Sequence, residues 1–63
     1  MTTIKDISEY GNGKYFEIVA YATRDENEKP DMIASKIRDK TLANHIAEYA
    51  AKFYGGYVEI VIR

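Results

Sequence analysis

The one histidine of the chain, His45, is followed at three and four residues by Glu48 and Tyr49. At helical spacing these side chains share a face, and an imidazole beside a carboxylate is how a general base is often built. The set goes no further. There is no cysteine and no second histidine to complete a metal site, and catalysis needs additional positioned groups. His45 therefore reads as part of a solvated helix face. Residues 25–31 hold four carboxylates in seven positions, Asp25, Glu26, Glu28 and Asp31. A calcium loop of the EF-hand type needs Gly at its sixth position and Glu at its twelfth. Counting from Asp25, Pro30 and Lys36 stand there, so this stretch reads as a polar loop. Gly11-Asn12-Gly13 lacks the strand-loop-helix context of a phosphate-binding loop. The expectation is a non-enzyme with no catalytic, cofactor-binding or metal-binding residue.

The remaining candidates for recognition are the six tyrosines, and their spacing depends on the elements that carry them. Residues 14–24 alternate and are rich in aromatic and β-branched types, which predicts a strand. Phe16, Ile18, Ala20 and Ala22 fall on one face, and Tyr15, Glu17, Val19, Tyr21 and Thr23 on the other. Residues 57–63 alternate likewise, with Val58, Ile60 and Ile62 inward and Tyr57, Glu59, Val61 and Arg63 outward. Gly11-Asn12-Gly13 reads as a tight hairpin turn, in residues that tolerate positive φ.

Two segments are ambiguous between strand and helix. In residues 2–9, Ile4 and Ile7 are three apart, which fits a helical turn as well as a short edge strand; we read the strand. Residues 32–38 read as a strand with Ile33, Ser35 and Ile37 inward and Ala34, Lys36 and Arg38 outward, because the periodicity resets at Asp39-Lys40-Thr41.

The helix is expected over residues 42–53 with Thr41 as its N-cap. Leu42, Ile46, Tyr49, Ala50 and Phe53 make an apolar stripe to face the sheet, while Asn44, His45, Glu48 and Lys52 are polar. Glu48 and Lys52 are spaced for an ion pair. Alanines 43, 47, 50 and 51, with Ala34 upstream, allow close approach of helix to sheet. Gly55-Gly56 ends the helix, one of the two expected in the left-handed conformation.

At 63 residues the chain is one small α+β domain, 1–63, near the lower limit for folding alone. The element order is β-β-β-α-β, or β-β-α-β without the first strand, with one helix on one face of a small, mostly antiparallel sheet of three or four strands. The opposite face then has no cover. The pentads Tyr15-Phe16-Glu17-Ile18-Val19 and Tyr57-Val58-Glu59-Ile60-Val61 place their Tyr-Glu-Val rows there, joined by Tyr21 and Arg63. These eight residues, Tyr15, Glu17, Val19, Tyr21, Tyr57, Glu59, Val61 and Arg63, are the expected partner-binding surface, since tyrosine is enriched at interfaces and an exposed apolar patch marks an interaction site. Lys36 and Arg38 are candidates to join them.

Nine Lys and Arg balance ten Asp and Glu, for a net charge of −1. No basic stripe of the kind that grips nucleic acid is present, and Glu17 and Glu59 in the tyrosine rows would repel phosphate. No apolar run suits a membrane span, and the N-terminus lacks the layout of a signal peptide. The expectation is a soluble cytoplasmic protein whose partner is another protein, a homodimer included. The alternatives are nucleic-acid binding through the tyrosines and an oligomeric subunit that completes a ligand site.

Over residues 15–63 the layout resembles the small proteins by which bacteriophages disable or redirect host machinery, of the kind of the early host RNA polymerase inhibitor of T7-like phages. Thr41-Leu42 at the helix start, Tyr57-Val58-Glu59 in the last strand and the terminal Arg63 carry the likeness. The chain departs from that family in having a single basic residue at its end and no tail beyond it. The resemblance implies a protein-binding inhibitor or modulator acting in the host cytoplasm.

Overall fold

A computed structural model describes residues 2–8, 11–23, 25 and 27–63. Four strands and one helix follow in the order β1 (Thr3–Asp6), β2 (Phe16–Tyr21), β3 (Asp31–Ile37), α1 (Lys40–Ala51) and β4 (Tyr57–Ile62). The fold is α+β, with the first strand present. Glu9, Arg24 and Glu26 of the expected strands and loop lie outside the described residues.

The sheet order is β1-β4-β2-β3. β4 and β2 are antiparallel, as are β2 and β3, while β1 lies parallel to β4 on the far edge. β3 and β4 thus point the same way with β2 between them. Parallel strands cannot be joined by a hairpin and need a crossover, which α1 supplies.

The insertion of β4 between β1 and β2 corrects the reading of Gly11-Asn12-Gly13 as a hairpin turn. The two strands it joins are not neighbours, and no glycine has positive φ. The segment instead passes across the end of β4, where the Lys14 amide donates to the Arg63 carbonyl at 2.7 Å. A Cβ on Gly11 would collide with the Ile62 side chain, and one on Gly13 with the Arg63 backbone. Close approach is what requires glycine here.

The core lies between α1 and one sheet face. Ile18 and Ala20 from β2, Val58 and Ile60 from β4, Ile37 from β3, and Ala43, Ala47 and Ala50 from α1 are buried in one cluster. Ile4, Phe16, Ile33, Ala34, Ile46 and Tyr54 pack around it half-buried. The alternation expected of β2 and β4 holds within the strands, but Ala22 lies beyond the end of β2 and is exposed.

In β3 the expected inward row Ile33-Ser35-Ile37 is replaced by Ile33, Ala34 and Ile37, and Ser35 is exposed. Phe16 pairs with Ile37 but Ile18 pairs with Ala34, so β3 spends one residue more than β2 between the two pairs. Such a bulge reverses the alternation, and a second slip, with Ile18 paired to Ala34 and Val19 to Met32, lets the consecutive Ile33 and Ala34 both pack on the core. Lys36 within the bulge has φ 57°, a left-handed conformation uncommon for a residue with a side chain.

The helix differs from expectation in its cap, its end and its buried face. Asp39, not Thr41, is the N-cap, its carboxylate accepting from the Thr41 amide at 3.0 Å. Regular helix ends at Ala51, and the Lys52 and Phe53 amides donate back to Tyr49 and Ala50 in a tightened last turn. Gly56 is not a left-handed cap. It runs close under the Tyr21 and Thr23 carbonyls and donates to the first at 3.1 Å. The buried row is alanine, and Leu42, Tyr49 and Phe53 of the expected inward stripe stand 50%, 66% and 68% exposed. Bulky strand residues opposite alanines fill the interface, which leaves no depth for a second layer of large side chains.

Candidate functional site

The outer sheet face brings the eight expected residues together, and the register explains how. β2 and β4 pair with Glu17 opposite Val61, Val19 opposite Glu59, and Tyr21 opposite Tyr57. Beyond Glu17 the Tyr15 and Arg63 backbones exchange hydrogen bonds at 2.8 and 3.3 Å. Because the strands are antiparallel, each Tyr-Glu-Val row runs against the other, so a glutamate faces a valine twice. Val19 and Val61 are 6% and 4% exposed although neither belongs to the cluster beneath the helix. Their neighbours on the same face close over them.

Those neighbours are tied to one another. The Tyr21 and Tyr57 rings stack with centroids 4.4 Å apart, and the Lys5 ammonium from β1 sits 4.4 Å from the Tyr57 ring centre. The Arg63 guanidinium lies 3.5 Å from the Glu17 carboxylate. Arg38 covers the Tyr15 ring, 5.4 Å from its centre, and donates to the Tyr15 hydroxyl at 3.3 Å. Arg38 thus joins the face, as the sequence suggested. The Tyr21 phenol is pushed up to about 12 by burial, then by its hydrogen bond to Glu59 and that carboxylate's charge.

The bulge in β3 opens a hollow on this face. Glu17 has Val61 as its partner in β4 and no partner in β3. A cavity of about 290 Å³ occupies this region, lined by Tyr15, Phe16, Glu17, Met32, Ser35, Lys36 and Arg63. The bulge is what sequence alternation could not reveal, and with it the placing of Lys36 and Arg63 on one hollow.

A second uncovered surface holds Leu42 and Tyr49 on α1 and Phe53 just past its end, where the Tyr49 and Phe53 rings meet at 5.1 Å. The apolar periodicity of the sequence predicts this row to be buried, and it is exposed. The signal that could have found it is the spacing of Ala43, Ala47, Ala50 and Tyr54, which matches that of Leu42, Ile46, Tyr49 and Phe53 one residue earlier.

A third cluster ties β1 to the helix start. Lys40 Nζ lies 2.5 Å from both Asp6 Oδ2 and the Ser8 hydroxyl, and Ser8 donates to Asp6 at 2.5 Å. Burial raises the Asp6 carboxyl, but hydrogen bonds from Lys40 and Ser8 and the Lys40 charge outweigh it and hold the group below its ordinary value. A serine beside a lysine can be a nucleophile with its base; here both are committed to the same carboxylate. His45 is exposed, and among the described residues no three His, Cys, Asp or Glu side chains assemble to hold a metal ion. The loop carboxylates serve the loop itself, with Glu28 accepting from the Thr23 amide and hydroxyl and Asp25 accepting from the Asn27 amide. Among the described residues the ion pairs are Lys40–Asp6 and Arg63–Glu17, so Glu48 and Lys52 do not form one.

No helix among the described residues is long and apolar enough to cross a membrane. Comparison of the chain with family models, with curated proteins and with solved structures gives no match.

Proposed function

We propose that this chain is a small non-enzymatic protein-binding module that works through the outer face of its sheet. The observation that supports this most is the fixed array over Val19 and Val61: stacked Tyr21 and Tyr57, Lys5 on Tyr57, Arg38 on Tyr15 and Arg63 beside Glu17. Aromatic side chains held by their neighbours lose little freedom when a partner docks, and such preorganisation raises affinity. Glu17 and Glu59 within the array favour a protein over a nucleic acid as the partner. The likeness to phage host-takeover proteins supports inhibition or modulation of a host protein as the consequence of binding, with Tyr57 and Glu59 of the matching segment on this face.

The exposed row on α1 favours a second reading, in which the same module docks through its helix. A face-by-face capture experiment separates the two. The wild-type chain, a Tyr21→Ala/Tyr57→Ala variant and a Tyr49→Ser/Phe53→Ser variant are used as baits in bacterial lysate, with circular dichroism to verify folding. Loss of a specific captured protein with the tyrosine pair, and its retention with the helix pair, is the expected result. The reverse pattern assigns binding to the helix. A mass that rises with concentration in wild-type chain but not in the tyrosine variant would make a second copy the partner.

A further inference from the structure

The hollow over the β3 bulge has a composition that the rest of the sheet face lacks. Tyr15 and Met32 give it an apolar lining, and Met32 is largely exposed. Lys36 and Arg63 line it, and Arg38 packs on the Tyr15 ring. The one carboxylate within it, Glu17, is mostly buried and has Arg63 for a partner. Two cations therefore line the hollow against one carboxylate, in a chain whose overall charge is slightly negative.

Resting on the protein-binding reading above, we propose that this hollow is the specificity pocket of the face, and that its occupant is a protein segment presenting a carboxylate beside an apolar side chain. The apolar side chain would enter between Tyr15 and Met32, and the carboxylate would meet Lys36 and Arg63. Charge complementarity selects this occupant, because the apolar hollow is lined by two cations, Lys36 and Arg63, against one carboxylate. Glu17 on the cavity lining disfavours a phosphate backbone, which would bring several negative charges past it. The backbone of Lys36 points the same way. A left-handed lysine is strained where glycine would be at ease, and strain of this kind is retained at sites where it places a functional group.

The test uses the intact chain and three probes: a capped, otherwise neutral peptide with one leucine–aspartate pair, the same peptide with asparagine for aspartate, and oligothymidylate. Amide resonances of Tyr15, Lys36 and Arg63 are followed by NMR titration. The acidic peptide should shift them, and the asparagine peptide should bind at least about tenfold more weakly, the loss expected for charge-assisted contacts. Lys36→Gly should weaken the acidic peptide by a similar factor while leaving the melting temperature equal or higher, since glycine relieves the left-handed strain. Arg63→Met provides a second cation variant with the Lys36 backbone untouched and should weaken the peptide likewise. Equal binding of the two peptides, or no shift with either, overturns the proposal. So does a salt-dependent shift of the same resonances by oligothymidylate alone. If the peptides fail while capture still depends on Tyr21 and Tyr57, the pocket falls and the protein-binding reading stands; capture indifferent to the tyrosines removes that reading whatever the peptides do.

Discussion

The outer sheet face and the outer flank of the helix are both uncovered, yet they handle their apolar residues in opposite ways. On the sheet, Val19 and Val61 are sealed by side chains from adjacent strands, which pair at close range across the ladder. On the helix flank, Tyr49 and Phe53 have each other and little else, and Leu42 stands two turns from Tyr49. Neighbours on a sheet lie in two directions, along and across the strands, so an apolar residue can be roofed from several sides. An isolated helix offers neighbours only at three and four residues along its own axis. A sheet face can therefore be both open and ordered, whereas an uncovered helical row stays in water until something docks on it.

Removing the interior on which both faces stand should have the largest effect. Ile60→Ala, at a fully enclosed position, should cost about 2–5 kcal/mol. That is comparable with the whole stability of a domain this size, at roughly 0.05–0.15 kcal/mol per residue. Ala47→Leu should also destabilise, by about 1–3 kcal/mol, through overpacking against the sheet. Phe53→Ala should stay within about 0.5 kcal/mol, as an exposed position does. Urea unfolding of the three variants checks the order, and a large loss in Phe53→Ala with none in Ala47→Leu would reverse the assigned helix faces.

The outer sheet face should show an intermediate effect. Tyr57→Ala removes the stacking with Tyr21 and the seat of Lys5, and should cost about 0.5–1.5 kcal/mol beyond the area lost. Tyr49→Ala, on the unroofed helix row, should cost less. Near-equal losses in thermal unfolding would mean that the sheet array is no better knit than the helix row.

Titration sharpens the comparison further. Tyr21 is raised from 10.0 to about 12 in the folded chain, so the folded state holds its proton longer than the unfolded state. Its contribution is complete below pH 10 and is lost as pH rises from 10 toward 12. Tyrosinate absorbance should show the Tyr21 phenol, identified by its loss in Tyr21→Phe, titrating late, and Glu59→Gln should bring it earlier; no change with Glu59→Gln would refute the Tyr21–Glu59 contact.

The smallest effect belongs to Asp6, which is depressed below 3.8. Its stabilisation is complete above that pH and disappears as pH falls through the lower folded value. Both partners are well exposed, so screening keeps the contribution small. Lys40→Met should flatten the acid limb of the stability profile slightly, with no change at neutral pH in the outer face.

Alternation in 16–21 and 57–62 was legible because strand side chains obey a strict period of two, so the outward Tyr-Glu-Val rows and the inward isoleucines follow from spacing alone. The existence of one helix, and its place between the third and fourth strands, was legible for the same kind of reason. Its buried face was not. Leu42-Ile46-Tyr49-Phe53 and Ala43-Ala47-Ala50-Tyr54 are the same period offset by one residue, and hydrophobicity favours the first. Only docking against the large side chains of β2 and β4 selects the second, because the space beside them admits alanine. Strand order was likewise beyond local pattern: Gly11-Asn12-Gly13 serves a hairpin or a crossing equally well until β4 is known to lie between β1 and β2. The bulge at Lys36 and the hollow beside it belong to the same class. Sequence specifies which way each side chain points along its own segment, and tertiary structure decides which of two equivalent faces is buried and where two strands fall out of step, because those choices depend on the shape of the partner.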